Sequence, residues 1–169
     1  MNGKPIADYA LVIGVRNSYD RSLSVGLTLG SHVFCCDNLV FSGEVTMHRR
    51  HTVNVFRDLP DLIYRMLSQV SSMRERIDGE IAVMKVREPP PAQAHHLMVE
   101  AIRANIHPAS RLPKVIEAWE EPAHEVFLPR TAWSLFNAFT EVQKGAPPRA
   151  QMEGSLRLSS LFRRELSLN

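Results

Sequence analysis

The chain has 169 residues, 44% of them apolar and 22% charged, which suits a packed core and excludes an extended disordered polymer. The net charge of +2 is only mildly basic; it permits a nucleic-acid partner without arguing for one, because dedicated binders carry a dense basic stripe. The two cysteines, Cys35 and Cys36, are adjacent and poorly placed to bridge each other. With no signal-peptide pattern at Met1 to Asp8 and no apolar run long enough to cross a bilayer, the expectation is a cytoplasmic protein of a bacterial or phage-infected cell, with no membrane contact.

In chain order, the apolar run Tyr9 to Val15 reads as a strand. A polar, turn-prone stretch from Arg16 to Arg21 follows. Ser22 to Leu29 alternates strictly, with Leu23, Val25, Leu27 and Leu29 on one face, the period of a strand with one buried side. Gly30-Ser31 is a turn or bulge signal, His32 to Cys36 a further apolar piece, and Asp37-Asn38 another turn signal. Gly43 to Arg50 alternates again. Three or four strands with short connections predict an antiparallel meander over residues 1–56.

After Phe56 the period becomes helical. Asp58 and Pro60 have the order of a cap and a first-turn proline. Leu59, Leu62, Ile63, Met66, Leu67, Val70, Met73, Ile77, Ile81 and Met84 then recur mostly at spacings of three and four, predicting a long helix from about Asp61 to about Val86 that Gly79 weakens. Pro89-Pro90-Pro91 ends it. Ala92 to Ile106 is a second helix. Ser110 caps a shorter one carrying Val115, Ile116 and Trp119. Thr131 caps the next, whose apolar side is Trp133, Leu135, Phe136, Phe139 and Val142, with Gly145 at its C-terminal end. Ala146 to Arg149 reads as a loop and Ser155 to Leu166 as the last helix. Sheet first and helices after predict an α+β fold: one domain over residues 1–169, with a small antiparallel sheet in the N-terminal third packed against four or five helices from residue 57 on.

Candidate chemistry is sparse. His32, Cys35, Cys36, His48 and His51 crowd one region, but neither CxxC nor HExxH spacing is present. Strand geometry also turns Cys35 away from His32 and Cys36. No metal or other cofactor is expected. His95-His96 lies on a helix, where adjacent residues diverge by about 100°, so one half-buried and one exposed histidine are expected. No GxSxG elbow is present, and Gly26, Gly30 and Gly43 open no phosphate loop. No catalytic residue is assigned. Arg49 and Arg50, followed at the C-terminus by Arg157, Arg163 and Arg164, are the residues that could contact phosphates. Asn17, Ser18 and Asp20 form one polar corner, and Asp37 and Asn38 another; the two are expected together at one sheet edge. The near-heptad spacing from Met66 to Met84 also leaves room for pairing with a second copy.

The stretch Asn17-Ser18-Tyr19-Asp20-Arg21-Ser22, the alternation that follows, and Val33-Phe34-Cys35-Cys36-Asp37-Asn38 resemble DUF932, a family of phage- and plasmid-encoded proteins of unknown function. In that family an N-S-H-D-G-S turn precedes a strand, and a cysteine-containing strand then ends in asparagine. Here Tyr19 and Arg21 stand where the family has histidine and glycine. Trp133 to Glu141 is similar to a family helix. The resemblance covers chiefly the first third, and the chain looks like a short member without the family's usual N-terminal segment. It implies an accessory protein of a mobile element and carries over no catalytic residue. Three roles follow as expectations. The first is DNA binding through the arginines. The second is a protein-interaction module on the long helix, such as an inhibitor of a host factor, with a host protein, a phage protein or a second copy as partner. The third is a hydrolase or nuclease with a cleft around Asp20, Asp37, His48 and His51.

Overall fold

A computed structural model describes residues 9–16, 25–33, 38–41, 47–49 and 55–168; within the strands, side chains are described at Tyr9, Ala10, Val12 and Ile13. The described chain is mostly helical. Four strands, β1 (Tyr9–Arg16), β2 (Val25–Val33), β3 (Asn38–Phe41) and β4 (Met47–Arg49), precede α1 (Val55–Val86), α2 (Pro91–Arg103), a short 3₁₀ turn (Ala109–Arg111), α3 (Leu112–Glu120), α4 (Ala132–Gln143) and α5 (Pro148–Leu166).

The strands pair antiparallel about β2. β1 runs along one edge of it, from Tyr9 opposite Val33 to Arg16 opposite Gly26. β3 and β4 share the other edge end to end: β3 pairs with Gly30 to Val33, and β4 with Val25 to Leu27. The expected break at Gly30-Ser31 is absent. Both residues lie inside β2, and Gly30 faces Val12 on one side and Phe41 on the other. Ladder bonds on two edges hold straight a dipeptide that would turn in isolation. Tyr9 ties β1 to the helices, its hydroxyl donating to Asp78 of α1 while its ring packs on the main core.

The five helices occupy the regions predicted for helix, but three start points differ. α1 begins at Val55, so Pro60 falls inside it rather than in the first turn. Val55 and Phe56 extend the helix backward, although proline at this depth supplies no N–H to the backbone ladder. Before α3, Ser110 sits within the 3₁₀ turn and does not cap the helix; Arg111 holds the cap position without a side-chain bond. α5 begins at Pro148, because a proline at the first helical position, with φ preset, starts a helix as readily as it ends one.

The other helix ends follow their sequence signals. Thr131 Oγ1 accepts from Ser134 N at 3.1 Å, a cap that contributes about 1 kcal/mol. Gly145, at φ +82°, ends α4. α2 stops in a left-handed Asn105, with Ile106 N donating to Ala101 O and Asn105 N to Ile102 O. α5 ends the same way at Ser167, with Leu168 N donating to Arg163 O and the Leu168 side chain buried. These bonds use carbonyls that a helix end leaves without partners.

The core surrounds α4. Every residue from Thr131 to Thr140 is buried. Trp133 stacks on Phe136 at 5.9 Å, and Phe162 of α5 meets Phe136 and Phe139 edge-on at 5.1 and 6.2 Å. Each such fully buried large side chain contributes about 1.5–3 kcal/mol. The start of α4 is pinned by backbone and indole bonds: Ala132 N to Arg87 O at 2.7 Å, Arg130 N to Trp119 O at 3.1 Å, and Trp119 Nε1 to Thr131 O at 3.1 Å. β3 runs beside α5 and α4.

Candidate binding surfaces

The strand ends next to the two polar corners lie at opposite ends of β2. Arg16, from which the chain leaves toward Asn17, pairs with Gly26, whereas Asn38 pairs with Val33, which faces Tyr9. Seven residues of β2 separate these points, roughly 24 Å at strand rise. Antiparallel connections alternate between the ends of a sheet, so Arg16 and Asn38 fall apart along β2. Asn17, Ser18, Asp20 and Asp37 themselves lie outside the described residues, as do Cys35, Cys36, Arg50 and His51. Arg49 is the last residue of β4, opposite Val25, and His48 stands opposite Gly26.

The three candidate arginines of α5, Arg157, Arg163 and Arg164, divide between two faces. Arg163 turns inward and makes a two-pronged pair with Glu80 of α1, Nε to Oε1 at 2.8 Å and Nη2 to Oε2 at 3.1 Å. Both side chains are largely buried, so the pair fastens α1 to α5. Arg76 approaches the same carboxylate at 3.8 Å. Burial and the charge of Arg163 push the Arg76 guanidinium pKa down, against the pull of Glu80. Arg157 and Arg164, seven residues apart and so nearly in line along the helix, both face α2. Arg157 Nη1 donates to Ala104 O and Asn105 O at 3.2 and 3.1 Å, tying down the end of α2. Arg164 Nε donates to Glu165 at 2.7 Å and lies 3.8 Å from Glu100. The Arg164 bond, with help from His96 at 3.2 Å, holds the Glu165 carboxyl below the usual carboxylate range. His95 and His96 are both exposed, contrary to the expected split. Much of the basic charge expected for phosphates is therefore shared with carboxylates or helix-end carbonyls.

A different surface stands out on α1. Met66 (1% exposed) and Met73 form a satellite core with Leu59, Leu62 and Val70. Beside that stripe, Ile63, Tyr64 and Leu67 remain 38%, 75% and 52% exposed. At 100° per residue the apolar arc in this half of the helix spans about 200°, roughly twice what one packed face requires. Ile63 and Leu67 belong to the stripe expected to be buried, and Tyr64 escapes a search based on spacings of three and four. The width of the arc was the available signal. Over Val55–Val86 the helix carries five arginines or lysines and five aspartates or glutamates, so its formal charge is zero. No described helix is long and apolar enough to cross a membrane.

A buried histidine also escaped the sequence. His107 lies against the ring of Phe139 at 5.8 Å, with Nε2 2.9 Å from the Phe139 carbonyl. Burial is the main cause that lowers its pKa, with Arg111 adding to the effect and the carbonyl opposing it. The imidazole is therefore neutral, with its proton on Nε2.

Compared with known families, residues 4–162 match one described as a domain of unknown function, DUF932. The match takes in the strands, α1 to α4 and α5 as far as Phe162, whereas the motif resemblance rests chiefly on the first third. No curated protein and no solved structure matches the chain.

Proposed function

The chain belongs to the DUF932 family, and from that premise we propose that it is a non-enzymatic binding protein, a cytoplasmic accessory of a mobile element, which works as a single domain paired with a second copy through the N-terminal half of α1. The observation that carries this reading is the exposure of Ile63, Tyr64 and Leu67 beside an already covered stripe. Apolar side chains grouped over successive turns mark a contact surface better than scattered ones. A second copy is the chosen occupant because the charges complement themselves. Arg57 and Glu75 stand nine residues to either side of Met66 and, being five turns apart, at the same angle round the helix. An antiparallel pair centred on Met66 sets each against its opposite in the partner, twice by symmetry.

Sedimentation equilibrium on the whole chain tests this. A dimer in the micromolar range that Leu67→Glu converts to a monomer, with helix content unchanged, supports the reading. A native protein that stays monomeric at about 100 µM overturns it.

DNA binding is the second reading. It is favoured by the 63% exposure of Arg164 on a helix whose four arginines outnumber its two glutamates, and it would recruit Arg49 and Arg50. The expected signature is fluorescence-anisotropy binding that falls steeply with salt and weakens in Arg49→Ala/Arg50→Ala and in Arg164→Ala. Absence of binding at low salt sinks it.

A further inference from the structure

The end of α3 and the loop after it do not close fully on α4. Between them lies a cavity of about 110 Å³, several times the space a single water needs. Its floor is α4, with Ser134 and Asn137 almost wholly buried; Ala118 and Phe127 form walls, and His124 and Glu141 stand at the sides. His124 meets Phe127 edge to face at 6.0 Å, so the wall is aromatic on one side. Ser134 Oγ is engaged with Thr131, donating to its carbonyl at 2.9 Å, which leaves a firm, preformed floor.

The charge around this cavity is predominantly negative. From Glu117 to Leu128 the chain carries four glutamates, at positions 117, 120, 121 and 125, and no lysine or arginine. Glu141 adds a fifth. Glu120 pairs with Arg130 and Glu141 with Lys144; Glu117, Glu121 and Glu125 pair with no described residue. Val126 and Leu128 stand exposed on the same loop. The surface therefore combines an acidic field, apolar contacts and a pocket with an aromatic wall and a carboxylate at its side.

We infer that this cavity receives an arginine side chain from a basic segment of a partner protein. A guanidinium is planar and weakly hydrated, stacks on aromatic walls and pairs two-pronged with a carboxylate, which matches Phe127, His124 and Glu141. The flanking glutamates would speed capture and select against acidic partners. The surface lies on other elements than the α1 face, so it stands or falls independently of self-association.

The test is titration of a fluorescein-labelled peptide of alternating arginine and glycine into the whole protein. A second peptide carries citrulline, which keeps the shape of arginine and removes its charge. The expected result is micromolar binding of the arginine peptide, lost with citrulline. Glu141→Gln and the cavity-filling Ala123→Phe should each weaken it about tenfold or more, with circular dichroism unchanged. Leu67→Glu should leave it intact. If the arginine peptide fails to bind, or binds Ala123→Phe as tightly as the native protein, the inference is overturned; in the second case the acidic surface alone holds the peptide. Equal binding of the citrulline peptide overturns it as well.

Discussion

The two halves of α1 show how differently one helix can be employed. In its second half Ile77, Ile81 and Met84 enter the main core, and Glu80 is clasped by Arg163. From Leu59 to Val70 the apolar residues form only a satellite core, and three more face outward. Both halves carry the same periodicity. What separates them is how much of the arc is covered: the second half packs among α4 and α5, and in the first half Ile63, Tyr64 and Leu67 remain exposed. Periodicity thus reports that a face is apolar, while the width of the arc reports whether folding alone can bury it.

The sharpest way to break this contrast is truncation. Phe139→Ala, in the core that receives the second half, should cost about 3–5 kcal/mol in urea unfolding, whereas Leu67→Ala should stay within about 0.5 kcal/mol. Similar losses at both sites would mean that the exposed arc is packed after all. Next comes the ion pair. Glu80→Gln leaves a buried guanidinium without its carboxylate and should cost about 3 kcal/mol. Arg74→Ala, which removes an exposed partner of Asp78, should cost under about 0.5 kcal/mol.

A smaller effect is set by pH. His107 titrates below the ordinary histidine value of about 6.5, so on acidification the unfolded chain takes up its proton first. The stability His107 allows is complete above that value and is lost as pH falls through it toward the lowered folded value. His107→Gln, which retains a donor toward Phe139 O, should give a shallower slope of unfolding free energy against pH in that window. An unchanged slope would place the titration elsewhere.

The smallest expected effects come from two glycines. A Cβ at Gly79 meets nothing within 4 Å, so Gly79→Ala should stabilise the protein by about 0.5–1 kcal/mol. At Gly154 a Cβ would come within 2.7 Å of Nε2 of the buried Gln143, so the same change should reverse in sign. Differential scanning calorimetry distinguishes the two.

The helical part of this fold could be read from its residues because its signals are local: Thr131 and Gly145 mark the ends of α4, and the period of three and four marks every core face. The sequence misled where a residue has two local meanings. Pro60 and Pro148 can each open or close a helix, and Gly30-Ser31 turns in isolation yet lies straight between two bonded edges. The strand Asn38–Phe41 carries no sequence signal of its own, since a three-residue apolar run has no period. The candidate surfaces were harder still. Arg163 and Arg164 are neighbours in sequence, but helix geometry turns one into the core and the other toward α2. The cavity over Asn137 depends on how α3 closes against α4, a relation between distant segments that no local pattern encodes.

The burial of α4 also bears on how the molecule opens. Its first amide bonds to the carbonyl of Arg87, a remote residue, and its side chains from Ala132 to Thr140 are all buried. Its backbone protons can then trade with deuterium only when the whole helical assembly comes apart. Those at the start of α1, flanked by solvent on its exposed arc, should trade through local fraying. A slow centre inside a faster shell would make α4 the natural gauge of global unfolding, and the start of α1 the gauge of anything that docks there.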